Sequence, residues 1–292
     1  MVHKPVPCRL HVVLAHDAPV GVVFRRGPTE WIQVLRWNTG DDTFDPGQWF
    51  RGSIGGADLS PDGRYLFYYA RKQRNWARRR VDPDVLIRWS AVSHPPYLTA
   101  LALWPGGCAG FFSTNTRLVI DDSDAVPRFP QQEQCFPAEL CVESLRTGGY
   151  GNRLSKARLD RDGRRDAPIE PRPGDGDDGV NSYVGPPTRL ARANSADGNF
   201  EIFHDRVRNL GYRTEEYSAW DRRREVRTAL PNGTEWAHWD QGNRLVWAQG
   251  GKLWALALPR DGVFEVDAAQ MPIDLDPNKF EEIVSPDWAR RW

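Results

Sequence analysis

Ala57-Asp58-Leu59-Ser60-Pro61-Asp62-Gly63-Arg64-Tyr65-Leu66-Phe67 is the stretch from which the fold can be read. Asp-Gly supplies the positive φ angles of a tight turn, Pro61 fixes φ ahead of it, and the aromatic and aliphatic residues after Gly63 open a strand. The stretch is therefore a hairpin, and it recurs. Arg192-Ala193-Asn194-Ser195-Ala196-Asp197-Gly198-Asn199-Phe200-Glu201-Ile202 repeats its Ser-x-Asp-Gly-x-aromatic core. Phe112–Val119 is a degenerate copy, and Trp239–Val246 is one residue shorter.

With Ser60, Ser113, Ser195 and Asp240 as anchors, the copies stand 53, 82 and 45 residues apart, the middle gap being close to two periods. A period of about 40–50 residues is what four short strands and their turns consume, which is one blade of a β-propeller. An earlier unit fits the same plan: Val20–Arg25, a Gly27-Pro28-Thr29 turn, Trp31–Trp37, then Asn38-Thr39-Gly40 leading to Trp49-Phe50. Further runs with strand character are Arg64–Ala70, Leu98–Trp104, Arg117–Ile120, Asn199–His204, Arg244–Ala248 and Lys252–Leu258. No stretch of 12 or more residues carries an apolar stripe at helical spacing, so helices should be few. The expected fold is all-β, a single propeller domain over residues 1–292 with five to six four-stranded blades. Cys8–Leu14 is the candidate for a closing strand that pairs the two chain ends in one blade.

Ser60-Pro61-Asp62-Gly63-Arg64-Tyr65-Leu66, with Ala219-Trp220-Asp221 and Leu253-Trp254-Ala255-Leu256, resembles the repeats of TolB-type and WD-type propellers. The segment Trp89–Trp104 resembles that of uncharacterised bacterial propeller proteins, a resemblance that implies no activity. Gly63–Ala70 is similar to a strand of five-bladed glycoside hydrolases, which would imply paired carboxylates facing a cleft. Asp17, Asp58 and Glu235, each near the start of an expected blade, are the residues that reading would use. The Asp-Pro usual in that family's first blade is here Asp17-Ala18.

Composition narrows the partners. The 292 residues hold 39 basic and 39 acidic side chains, so no whole-protein field draws the chain to nucleic acid or an anionic membrane. Cys8, Cys108, Cys135 and Cys141 lack the close spacing of zinc ligands, and the short apolar run Leu10–Ala15 is too brief for a secretion signal or a membrane span. A cytoplasmic protein with reduced thiols, no metal and no cofactor is expected. Nucleophile elbows, Walker loops and dinucleotide glycine fingerprints are missing from the sequence. His238, flanked by Glu235, Trp236, Trp239 and Asp240, could line a pocket, although in a propeller such a histidine more often bonds within or between blades. Asp175-Gly176-Asp177-Asp178-Gly179 lacks the closing Glu of a calcium loop and reads as a solvated acidic loop.

Two segments break the repeat. Arg71-Lys72-Gln73-Arg74-Asn75-Trp76-Ala77-Arg78-Arg79-Arg80 puts six basic residues and one Trp in ten positions, after a strand and before Asp82-Pro83. It reads as a projecting hairpin suited to an acidic protein surface, or less readily to a phosphate backbone with Trp76 stacking on a base. Residues 160–180 hold no aromatic side chain and form an expected mobile loop. The tail at 281–292 is amphipathic, with Ile283, Val284, Trp288 and Trp292 available for docking. The expected function is a non-catalytic interaction module that binds a protein partner through Arg71, Lys72, Arg74, Trp76, Arg78, Arg79, Arg80, Trp288 and Trp292, with glycoside hydrolysis as the alternative and no membrane partner.

Overall fold

The computed structural model describes residues 6–28, 30–72, 87–121, 126–130, 136–145, 152–168, 188–194, 198–209, 212–258 and 265–292. The chain divides into two compact units, one comprising Met1–Arg158 with Leu275–Trp292 and the other Leu159–Asp274. The fold class is all-β, and the described strands form five propeller-type sheets, within the expected range.

Unit one holds three of them. The first runs β1 (Arg9–Leu14), β2 (Val20–Arg26), β3 (Trp31–Asn38), β4 (Thr43–Arg51), in that order and antiparallel throughout. The second repeats this with β5 (Ser53–Leu59), β6 (Leu66–Arg71), β7 (Arg88–Ser93) and β8 (Ala102–Pro105). The third has three described strands, β9 (Gly110–Thr114), β10 (Arg117–Ile120) and β11 (Cys141–Ser144), with β11 parallel to β10. The stretch between β10 and β11 is long enough for the crossover that parallel pairing requires.

The sequence Tyr65-Leu66-Phe67-Tyr68-Tyr69-Ala70 reads as nearly continuous apolar surface because its sheet is buried on both faces. Leu66, Tyr68 and Ala70 pack with Val22, Val34 and Leu59, whereas Tyr65 and Phe67 pack with Trp104, Phe112 and Leu118. Period-two alternation thus sends one residue set to the first sheet and the other to the third, the face-to-face stacking of blades. Asp58 joins the same layers: it is 1% exposed and accepts the Phe112 amide at 2.7 Å, tying β9 to β5.

Unit two holds a five-stranded sheet of β12 (Arg164–Ala167), β13 (Thr188–Ala193), β14 (Phe200–Asn209), β15 (Tyr212–Asp221) and β16 (Val226–Ala229), antiparallel throughout. Its four-stranded companion is β17 (Thr234–Trp239), β18 (Leu245–Gln249), β19 (Lys252–Leu256) and β20 (Gln270–Asp274). Phe200, Ile202 and Ala219 of the first pack with Leu245, Trp247 and Leu256 of the second.

The repeated turn proves to be one hydrogen-bonding device. The Ser60 amide donates to Tyr65 O while Ser60 Oγ accepts the Tyr65 amide, so one side chain closes the turn from within. Asn194 does the same with Phe200, and Asp240 with Arg244. In the second copy the acceptor is the Asn194 amide oxygen, while Ser195, expected as the anchor, lies outside the described residues. In the first sheet Ala15 donates to Val20 O at the same place.

Gly63 has φ +73°, and an added Cβ would lie 2.8 Å from Val20 Cβ. Gly63→Ala should therefore combine backbone strain with a clash and lose about 2–3 kcal/mol in urea unfolding. Gly198→Ala, at φ +67° with open space around it, should lose only about 1 kcal/mol.

Among the described residues three of the five sheets have four strands, one has three and one has five. Two expectations are corrected. Residues 160–168, expected as loop, contain the end of α1 (Asn152–Arg161), a turn at Gly163 and all of β12, while 169–180 lie outside the described residues. The first sheet draws all its strands from residues 9–51, so β1 does not take a C-terminal strand as partner. Hydrogen bonds from loops and side chains join the chain ends instead. The Cys8 amide donates to Asp276 Oδ1 at 2.8 Å, and the buried Arg25 guanidinium donates to Leu275 O and Asp276 O.

Candidate functional site

In unit one, Asp17 sits exposed in the β1–β2 turn with its amide donated to Pro61 O. Asp58 is buried, with Oδ2 on the Phe112 amide and Oδ1 3.3 Å from Arg158 Nη2. A carboxylate spent on an amide and a guanidinium inside the sheet stack is a packing anchor rather than an acid or base facing a cleft. Glu235 lies on β17 of unit two and is partly buried.

Arg71 and Lys72 are exposed at the open end of the β6–β7 pair, where Arg71 stands opposite Arg88 and the Lys72 amide donates to Ile87 O. Lys72 Nζ lies 5.7 Å from the Trp89 ring centroid. The basic segment thus joins two antiparallel neighbours, as a hairpin requires. Arg74, Trp76, Arg78, Arg79 and Arg80 lie outside the described residues, as does the acidic run at 175–179.

The tail crosses unit one. Phe280 packs on Trp31 at 4.3 Å, His94 Nε2 bonds Arg291 O at 2.8 Å, and the ring of Trp292 meets Tyr65 and Phe136 edge-on. Trp292 is therefore half-buried packing. Trp288 is different: it is 59% exposed, yet its ring rests against His94 and Tyr97 at 5.8 and 5.6 Å. Trp236 and Trp239, which flank His238, are buried.

Unit two shows where many of the arginines go. On one face of β14, Glu201 and Asp205 are fully buried. Asp205 takes a two-pronged contact from Arg189 (Nε and Nη2, both 2.7 Å) and a third hydrogen bond from Arg227 at 2.7 Å. Both guanidinium groups also lie over the Phe203 ring. Burial alone would raise the Asp205 carboxyl, but the hydrogen bonds and charges of the two arginines outweigh it and hold it below the usual carboxylate range. Glu201 Oε1 receives Arg165 and Arg222.

The opposite face carries a cluster that few features of the sequence point to. Arg164, Arg192, His204 and His238 converge on a small cavity walled by Leu190, Ala191, Ile202 and Ala237. His238 Nδ1 lies 2.7 Å from Trp239 O and can only donate there, which leaves Nε2 as acceptor for Arg192 Nη1. Burial first, then the charges of Arg192 and Arg164, hold the His238 imidazole well below its ordinary range, so the ring is neutral at pH 7. Arg192 is lowered by burial to about 10 and stays cationic. The ring of His204 stacks on Tyr217 at 4.4 Å. The hint available in the sequence was His238 between two tryptophans; its partners come from strands some 35–75 residues earlier.

No group of three or more His, Cys, Asp or Glu among the described residues is arranged to hold a metal ion, and no helix among them is long and apolar enough to cross a membrane. No protein-family model and no curated protein matches the chain. Among solved structures it is similar to an uncharacterized protein from Listeria monocytogenes EGD-e, at 8% identity and a TM-score of 0.22, over 92% of this chain and 54% of that one. The chain thus spans about half the length of that protein.

Proposed function

We propose that this chain is a non-catalytic β-propeller binding module that engages a protein partner through unit one, with Trp288 as the anchor at the Ser93 end of the β6–β7 ladder and the basic segment beginning at Arg71 and Lys72 as a separate charged contact at the other end. The observation that carries this reading is the state of Trp288. Alone among the described tryptophans it is exposed, and it is held in place by two rings instead of swinging freely. A fixed, exposed indole gives large contact area at little entropic cost, which is why tryptophan dominates interface hot spots. Val284, 66% exposed, extends the apolar surface along the tail, and arginine is the charged residue that interfaces favour. The engagement of Asp58 by Phe112 and Arg158 weakens the glycosidase alternative, which asks that carboxylate to face a cleft.

The test is affinity capture from the native host with wild type, Trp288→Ala and the triple charge reversal of Arg78, Arg79 and Arg80 to Glu. Trp288→Ala should weaken binding of one identified partner by about 30-fold or more, as a hot-spot residue does. Its melting temperature should stay within about 1 °C, because an exposed ring contributes little to the core. A partner retained equally by all three proteins would remove these residues from the interface.

A further inference from the structure

His94 follows β7 and is half-buried, and both of its ring nitrogens face backbone carbonyls brought from elsewhere in unit one. Nδ1 lies 3.1 Å from Arg64 O in the turn between β5 and β6, and Nε2 lies 2.8 Å from Arg291 O in the segment 275–292. The two carbonyls stand 30 and 197 residues away along the chain. A carbonyl oxygen only accepts, so each bond needs an N–H from the ring. Neutral imidazole has one N–H and the imidazolium has two, so both bonds form together only in the cation. The neutral ring turns a lone pair toward one of the two carbonyls.

The aromatic neighbours favour the cation as well. The imidazole stacks on Tyr65 at 5.1 Å and meets the Trp288 ring at 5.8 Å, within the range over which an aromatic face attracts a cation. The charged and titratable groups on the elements packed around it are Asp62, Arg64 and Tyr65 of the turn, Tyr97 beyond β7, and Asp287, Arg290 and Arg291 of the segment. Among the described residues none of their side chains hydrogen-bonds or ion-pairs with the ring. The Arg64 guanidinium lies over Tyr65 at 5.2 Å, Asp62 accepts from Ser60 Oγ and the Arg64 amide, and Arg290 Nε donates to Ser285 O. The polar environment of the ring is therefore the pair of carbonyls, and it requires two protons.

We infer that His94 is a pH-operated clamp: doubly protonated, it fastens the segment around Trp288 to the β5–β6 turn, and it loosens as the second proton leaves. Docking and protonation then favour one another. Histidine exchanges its second proton between about pH 5 and 8, and an unclamped imidazole does so near about 6.5. The clamp is therefore complete below about pH 6.5 and is lost as the pH rises above it. Its consequence for a partner, weaker anchoring by Trp288 in alkaline solution, rests on the binding role proposed for that tryptophan; the clamp itself does not.

Nuclear magnetic resonance of the full, nitrogen-labelled chain tests this without a partner. At about pH 6 His94 should show two ring N–H resonances at once, because hydrogen bonds hold both protons; His94→Gln removes them and so assigns them. The reporter of docking is the Ala289 amide, which donates to Pro286 O at 3.0 Å in a residue that is fully buried. Its protection from hydrogen exchange should be about tenfold greater at about pH 6 than at about pH 8, the scale of one charge-assisted hydrogen bond. In His94→Gln, whose side chain does not titrate, protection should be the same at both. A single ring N–H from His94 at about pH 6, or the same pH dependence of Ala289 protection in variant and wild type, would overturn the clamp. Partner capture that Trp288→Ala leaves unchanged, with the clamp intact, would instead remove only the binding role of Trp288.

Discussion

Replacing Asp205 with alanine is expected to destabilise unit two by about 3–5 kcal/mol, the scale for removing one member of a buried ion pair. The carboxylate is 1% exposed and receives three charge-assisted hydrogen bonds, two from Arg189 and one from Arg227. Its loss strands Arg189, whose own side chain is only 11% exposed, without an acceptor for either prong. Arg227, at 41% exposed, can turn to solvent and should account for little of the cost. Arg227→Ala should therefore lose less than about 1 kcal/mol, while Arg189→Ala should approach the Asp205 variant. Native-state hydrogen exchange of the β14 amides is the measurement, since it reports on unit two alone. Equal and small effects at all three positions would mean that the array is a surface decoration, with Phe203 packing carrying the face.

This array also shows what could be read from the sequence and what could not. Strands whose two faces are both covered announce themselves: Val20–Arg26, Trp31–Asn38 and Leu66–Arg71 are rich in strand formers, and the Ser60 hairpin contains its own turn chemistry. The repeat spacing then gives the blade, since four such strands need about that much chain. By contrast, β12 is Arg-Arg-Asp-Ala, an edge strand whose side chains are spent on charge pairing, so no apolar alternation marks it. α1 is similarly charged and lacks an apolar stripe. Leu98–Trp104 reads as one strand, but its ladder begins only at Ala102. The Leu98 amide goes to Gln48 Oε1 and its carbonyl to Tyr68 Oη, so side chains satisfy the backbone where a neighbouring strand would have.

The sites divide along the same line. Trp288 was legible as an aromatic in an amphipathic tail, and its exposure is a local property. Asp58 was legible as a carboxylate at a blade entrance, but its role depends on an amide 54 residues further along the chain. The cationic cavity was the least legible, because register and sheet packing, which no local window contains, bring Arg164, Arg192, His204 and His238 together.

Between about pH 6.5 and the folded-state value of His238, stability is expected to fall as acid is added, with a slope approaching 1.4 kcal/mol per pH unit. Folded His238 is held neutral by burial, by Arg192 and by Arg164, against which the Trp239 carbonyl and Asp162 act only in part. In the unfolded chain the same imidazole titrates near 6.5. Below that pH the unfolded state takes up a proton that the folded state refuses, so the contribution is complete above about 6.5 and lost as the pH drops. Asp205 and Asp221 are depressed carboxylates whose contributions are lost only below about pH 4, so the two acid limbs do not overlap at their onset. His238→Gln keeps an acceptor for Arg192 and a donor for Trp239 O but cannot ionise. Its stability should run nearly flat from pH 7 to pH 5 where the wild type declines, and the difference between the two urea midpoints should therefore narrow with acid. Parallel curves would show that folded His238 takes up a proton as readily as the unfolded chain, which would rule out its Nε2 as the acceptor for Arg192.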